Sequence, residues 1–469
     1  MNADTTTPEL SDEPSVLARY QSDFGNLHQR RPATVARPRT VESLRRCFAE
    51  ARARGLRIAL RGGGQSFSGH SLCADGMVVD MTALVGEYPT EIGDGWVRVA
   101  AGGNLSELRE TLRQRGLRVP VYTSAPSATV GGTLAAGGVS GRSYRRGMLA
   151  QHVRELELMG TDGRIWRCSR ARNADLFSVA LGSIGLAGAL LSVTLATEPL
   201  LPFRARLLIG AMPLDALLPL RHELDAHDDI ASLDATVQWD DAGDARAEVS
   251  CAIEAASAQQ AQEMMARWRE ILRRLDHTTE GFLGAYARRG LSVAHIDDPV
   301  QYSMSRRGWR FDAAHASQLA QVNRPDTFYK APLSVAFAPD DGLAFARELR
   351  RYAAARAAFF PDPAVCFWLD AMARQPNPWL RLSRAHSHVL AFEIFACFRH
   401  RQVGEAMKIL SDLARLAIRF RGRMYPYSAL ADADLTRRLL PPVDREMRRI
   451  LAKTDPDGQL GPAWVHGAR

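Results

Sequence analysis

The sequence predicts an α+β protein of two domains, and three observations carry that prediction. The chain has 469 residues, 46% apolar and 24% charged, which is an ordinary globular composition at a length that supports two cores. Up to Pro199 it reads as short strands separated by glycine-rich stretches. Beyond Pro199 and Pro202 it changes to strands alternating with long amphipathic helices, for which an antiparallel sheet with helices on one side is the economical arrangement.

The opening residues, MNADTTTPELSDEPSV, are polar and acidic, with neither the basic head nor the apolar core of a secretory signal, and residues 1–30 are read as a flexible tail. Leu44, Cys47, Phe48 and Ala51 mark one face of a helix over Val41–Arg54, stopped at Gly55. Ile58 to Leu60 reads as a strand, followed by Arg61 and the glycines Gly62, Gly63 and Gly64. The loop continues through Gln65, Ser66, Ser68, Gly69, His70 and Ser71 and re-enters a strand over Met77–Met81. Successive N–H groups in such a turn form a concave nest for an anion, and glycine admits a ligand close to the backbone. The stretch alone fits a phosphate cradle and a plain glycine-rich turn equally. It is neither a Rossmann nor a Walker loop, because no GxGxxG opens a helix and no Gly-Lys-Ser/Thr is present.

Trp96 to Ala101 is a strand, and Asn104 caps a helix over Leu105–Arg115 that ends at Gly116. A second stretch, Ser127 to Arg146, reads SATVGGTLAAGGVSGRSYRR and is expected to form another loop through Thr129, Gly131, Gly132, Thr133, Gly137, Gly138 and Gly141. Two such loops a strand-strand-helix unit apart suit the grip of one dinucleotide. Val153–Met159 and Ile165–Cys168 pair about the turn Thr161-Asp162-Gly163, Asn173–Leu181 is a short helix, and Ala189–Thr197 is β-rich. Gly182, Gly185 and Gly188 are spaced too loosely to count as a motif. Past the boundary, strands are expected near Leu207–Ile209, Ala235–Trp239, Ala247–Ile253, Val335–Phe337 and Val389–Phe395. Helices are expected near Leu214–His227, Gln259–Leu275, Gly342–Ala355 and Gly404–Phe420.

The net charge of +8 comes almost wholly from dispersed arginine, with lysine only at Lys330, Lys408 and Lys453. Without a dense basic stripe interleaved with aromatics, no nucleic-acid partner is expected, and the field suits an anionic cofactor or substrate. No apolar run is long enough for a membrane span. Cys47, Cys73, Cys168, Cys251, Cys366 and Cys397 lie far apart without a CxxC pair, so neither a metal site nor a disulfide framework is expected, and a cytoplasmic location follows. Nothing in the pattern specifies an oligomeric state.

Together, RGGG-x-SFSG, GMVVDM, TVGGTLAAGGVSG and RELELMGTDGRIWRCSRARNADLF resemble, in order and spacing, the FAD-binding half of the vanillyl-alcohol-oxidase-type (PCMH-type) flavoproteins. Among these the chain most resembles cytokinin dehydrogenases. NPWLRL at Asn377 to Leu382 is similar to their HPWLNL segment, and KTDPDGQLGP at Lys453 to Pro462 to their closing motif. The resemblance covers about Pro38 to Pro462. It implies an FAD-binding domain over 31–200, a substrate (cap) domain over 201–425 and a return to the first domain over 426–469.

The resemblance also implies a site and two departures from the family pattern. Many relatives link the flavin covalently to a histidine that follows the three glycines; here that residue is Gln65, which cannot form the bond. The cysteine used by others falls near Ala125 and is also missing. Non-covalent FAD is therefore expected, with His70 as the nearest alternative attachment point and Cys73 behind it. The catalytic aspartate of cytokinin dehydrogenases falls at Ser124, and a serine cannot act as a general base without a partner. Other side chains weighed for contact with substrate are His70, Tyr144, Tyr425, Tyr427, His386, His388 and Trp379, each of which also fits a purely structural role, and Arg381, which stands where relatives have a neutral asparagine and would favour an anionic substrate if it faces the pocket. The implied activity is removal of a hydride from a carbon bearing nitrogen or oxygen in a small molecule, with oxygen or another compound accepting the electrons. The altered positions on a retained scaffold point to specialised metabolism. Oxidation of a sugar, alditol or lactone hydroxyl, and flavin binding without turnover, are the alternatives.

Overall fold

A computed structural model describes residues 9–461 except 124, 126, 240–244, 275–278, 282–327, 361–363, 371–379, 381, 383–387, 427, 430, 431, 441, 442 and 444. The first domain is built on two sheets. The smaller has the order Glu9–Ser11, Thr34–Arg37, Met77–Asp80, Ile58–Arg61; the first pair is antiparallel and the rest parallel. The larger is antiparallel, in the order Glu91–Gly93, Trp96–Ala100, Ala189–Ala196, Val153–Met159, Ile165–Ser169. Local chemistry sets the helices between them. Thr40 and Ser43 cap Val41–Ala53 reciprocally, and the Asn104 side chain accepts from the Ser106 and Glu107 amides at the start of Leu105–Arg113.

The second domain is one antiparallel sheet, and its described strands run in the order Thr279–Gly281, Phe203–Pro213, Ala245–Ala255, Ile230–Trp239, Ala364–Asp370, His388–Arg399, Phe328–Phe337, Arg423–Met424. Strand alternation gives this sheet two faces. Leu390, Phe392, Ile394, Ala396 and Phe398 pack under the helices Leu217–Asp225, Ala258–Arg274, Pro339–Ala354 and Val403–Arg419. Val389, Ala391, Phe395 and Cys397 point the other way, into a core shared with Val130, Leu134, Met148 and Leu380 of and beside the first domain. That second face roofs the site.

Two expectations about the ends of the chain meet the structure differently. The stretch before residue 30 is folded from Glu9 onward: Pro14–Tyr20 is a helix, Leu17 and Phe24 are buried, and the Phe24 amide donates to the Ser66 carbonyl at 2.9 Å. Its polar start hid a buttress, because the residues that matter, Leu17, Phe24 and Leu27, are isolated apolar positions with no periodic pattern. Near the C-terminus, the Ile58 amide donates to the Gln459 carbonyl at 2.8 Å and the Thr161 amide to the Thr454 carbonyl at 2.7 Å. Asp455 accepts from the Gln459 and Leu460 amides and fixes that turn. Among the described residues, no helix is long and apolar enough to cross a membrane.

Candidate active site

The strand Ile58–Arg61 delivers the first glycine stretch directly against the second. A Cβ on Gly62 would sit 2.3 Å from Thr129 Oγ1, and one on Gly63 only 1.8 Å from the Ser127 carbonyl oxygen. Gly62, Gly63, Gly64, Gln65, Ser66, His70, Thr129, Gly131, Gly132, Thr133 and Gly138 all border one cavity between the domains. Ser334, Ala336, Ala391, Glu393, Phe395 and Tyr425 of the second domain close it. The two stretches thus meet, as a shared ligand requires.

They contribute differently, however. No described residue accepts a hydrogen bond from the Gly62, Gly63 or Gly64 amides, which leaves three donors in a turn facing the cavity. The second stretch is a helix, Val130–Ala136, where a loop was expected. Its amides are taken: Val130 donates to Gly103 O at 2.9 Å, Gly131 to Ala101 O at 2.7 Å, Gly132 to Thr129 Oγ1 at 3.1 Å and Thr133 to Thr129 O at 2.9 Å. Gly138 donates to the Tyr425 hydroxyl at 2.8 Å. Glycine serves there as a flat wall: a Cβ on Gly131 would lie 3.0 Å from Ala101. Thr129 as N-cap outweighs the poor helix propensity of two glycines.

Three buried hydroxyls on the cavity wall, Ser71 Oγ, Thr123 Oγ1 and Thr133 Oγ1, have no hydrogen-bond partner among the described residues. Buried polar atoms are nearly always satisfied in native proteins, so these await the polar edge of a bound group. Three open amides for a diphosphate, three open hydroxyls and a wall of glycine and alanine fit a flavin dinucleotide.

The remaining expected residues fall into separate places. Arg61 borders the cavity, but its guanidinium donates to the Ser22 carbonyl at 3.2 Å and lies over the Tyr20 ring, so it props the loop from beneath. Gln65 turns its amide back toward the Gly63 carbonyl at 3.4 Å. Gly69, Gly137 and Gly141 are not on the cavity wall; Gly69 instead abuts the His28 ring, and Gly137 packs on Leu380 and Met148. Tyr144 is a correction: its ring is buried away from the cavity and its hydroxyl bonds Asp225. Trp379, Arg381, Tyr427, His386, Ser124 and the side chain of His388 lie outside the described residues. Residues not expected at the site include Phe24 and Ile184, which reach it from distant segments.

His70 faces the cavity with Nδ1 bonded to Ser68 Oγ and 3.3 Å from Ser66 Oγ. Burial, with a smaller push from His28, lowers it from 6.5 to about 4, so the ring is neutral near pH 7. Between those two values the unfolded chain binds a proton that the folded protein refuses. Stability attributable to His70 is therefore intact above about 6.5 and falls as the pH drops toward 4. His70→Gln is expected to flatten that loss, measured as urea midpoints of both proteins across this range.

Comparison with known proteins settles what the glycine stretches belong to. Residues 32–169 match the family described as FAD binding domain. This part of the chain is an FAD-binding domain. Cytokinin dehydrogenase 1 of Oryza sativa subsp. japonica is 36% identical over 207 residues, 42% of this chain and 38% of that protein. Cytokinin dehydrogenase 2 of Arabidopsis thaliana is 31% identical over 182 residues, 38% of this chain and 36% of that protein. The matched region thus spans less than two fifths of these relatives' lengths. The solved structure of 6-hydroxy-D-nicotine oxidase from Arthrobacter nicotinovorans is similar over 98% of both chains, with a TM-score of 0.68 and 14% identity. That likeness extends the two-domain α+β fold to the whole chain, and FAD is the cofactor of its first domain.

Proposed function

We propose that the protein is an FAD-dependent oxidase or dehydrogenase. It removes a hydride from a carbon bearing nitrogen or oxygen in a small molecule and passes the electrons to oxygen or another acceptor. The observation that carries this reading is the meeting of the open Gly62–Gly64 amides with the glycine wall of Gly131, Gly132 and Gly138 under a second-domain sheet. FAD supplies the two-electron chemistry when bound. The chain's own part is to hold and shield it. The Gly62, Gly63 and Gly64 amides would take the diphosphate, and Thr133, Thr123 and Ser71 would satisfy polar edges. The apolar roof of Ala336, Ala391 and Phe395 would keep water from the reacting carbon.

The cofactor is held without a covalent bond in this reading, because the residue that follows the three glycines is Gln65, which cannot form the link. Acid precipitation of the yellow protein is expected to leave the flavin in the supernatant, and flavin in the pellet would overturn this. Anaerobic bleaching by an amine or alcohol supports turnover. A flavin that no compound in a broad panel of amines, alcohols and sugars reduces would favour a binding protein instead. A role in specialised metabolism rests on the altered positions alone.

A further inference from the structure

Behind the first glycine stretch lies a buried acid and a buried base that the reading above does not use. They belong to residues 22–28, which brace the stretch at several points. The Arg61 guanidinium donates to the Ser22 carbonyl at 3.2 Å, and a Cβ on Gly64 would lie 2.8 Å from its Nη2. The Phe24 amide donates to the Ser66 carbonyl at 2.9 Å, and the Phe24 and Phe67 rings meet edge to face with centroids 5.2 Å apart. The His28 ring packs on Gly69, where a Cβ would fall 3.0 Å from its Cγ.

Asp23 holds this segment together. Its Oδ1 accepts from the Leu27 and His28 amides at 3.0 and 3.4 Å. Its Oδ2 has no hydrogen-bond partner among the described residues, and neither has His28 Nε2. The two atoms lie 3.8 Å apart, and both side chains are buried. Buried polar atoms are nearly always paired, and a proton on either of these would make them partners. Burial raises Asp23 from 3.8 to about 8, against the pull of the two amides and of Arg61 and Arg30. Burial, with Arg30, lowers His28 from 6.5 to about 4. Near pH 7 the acid therefore keeps its proton and the base stays neutral. Facing the pair from other segments are Arg61 and His70, and Tyr20 and Asp80 in turn face Arg61.

We propose that Asp23 and His28 are positioning residues for the cofactor, and that the proton they share keeps negative charge away from a diphosphate on the Gly62, Gly63 and Gly64 amides. Losing it would set a carboxylate behind the stretch, where little water screens it. That charge would repel the diphosphate and claim the Arg61 guanidinium that lies against Gly64. By linkage, bound diphosphate would in turn hold the proton more tightly. The inference deepens the reading of the FAD site and rests on the diphosphate lying on those amides.

The test is titration of flavin-free, full-length protein with FAD, followed by the quenching of flavin fluorescence across the pH range. Asp23 gives up its proton as the pH rises through about 8, so the Kd is expected to be level below that value and to rise about tenfold above it. Asp23→Asn keeps an oxygen for the Leu27 and His28 amides and sets an N–H toward His28, so its Kd is expected to stay level throughout. Infrared difference spectra of the wild type supply a reading that a merely structural role would not move: a protonated carboxyl band at pH 7 that vanishes above about 8. Constant affinity in the wild type, a rise in Kd that Asp23→Asn retains, or no protonated carboxyl band at pH 7 would each overturn the inference and leave the FAD site standing. Protein that takes up no flavin would overturn the reading of the site and this inference with it.

Discussion

Gly63→Ala is expected to yield protein that carries no flavin. The new Cβ would lie 1.8 Å from the Ser127 carbonyl oxygen and 2.9 Å from its carbon. Both atoms are backbone, so no rotamer relieves the overlap. The chain segments must separate, and separation pulls the open amides away from the helix Val130–Ala136 that walls the same cavity. Overpacking of this kind costs roughly 3 kcal/mol or more. The ratio of flavin to protein absorbance in the purified variant measures the first effect, and a urea titration the second. Gly55→Ala is the matched control. That glycine has a positive φ, +64°, which Gly63 lacks, and its Cβ would meet nothing within 4 Å, so backbone strain is tested without collision. Its cost should be near 1 kcal/mol, with flavin retained.

Glu254→Ala is expected to be the most destabilising change away from the cavity. Glu254 is the penultimate residue of the strand Ala245–Ala255 of the second domain and accepts from both Arg118 and Arg142 of the first. Those two arginines also share Glu198, at 2.9 and 2.7 Å, and Arg142 Nε donates to the Pro120 carbonyl at 2.8 Å. Side chains of Arg118, Arg142 and Glu254 are 8%, 5% and 8% exposed, so water cannot replace a lost partner. Removing one carboxylate leaves three guanidinium groups, Arg146 included, to one remaining acid, and breaking a buried pair in this way costs roughly 3–5 kcal/mol. Denaturant unfolding should show the loss, and Glu254→Gln, which keeps an acceptor oxygen, should lose less. Unchanged stability in Glu254→Ala would mean that the junction is held by apolar packing alone.

What the order of residues determined by itself is local. Asn104 caps its helix and Thr161-Asp162-Gly163 joins Val153–Met159 to Ile165–Ser169 because capping and tight turns are decided within a few residues. The alternation of Val389 to Phe395 already placed Glu393 on a face with Val389 and Ala391, since strand periodicity is also local. The glycine stretches were legible for the same reason, and the flavin was implied by their resemblance to a known family.

Only the folded chain decided which of those glycines still offer an amide. Gly62, Gly63 and Gly64 do, whereas Val130 to Thr133 have theirs satisfied by Gly103, Ala101 and Thr129, acceptors whose positions depend on how distant segments pack. The same holds for Tyr144, drawn away from the cavity by Asp225, and for Phe24, anchored through Ser66. It holds for Glu393 as well, whose place on the cavity wall comes from the first domain set opposite it. A hydrogen bond or collision between residues tens to hundreds of positions apart leaves no periodic trace in the chain, so function here is written locally in glycine and completed by long-range contact.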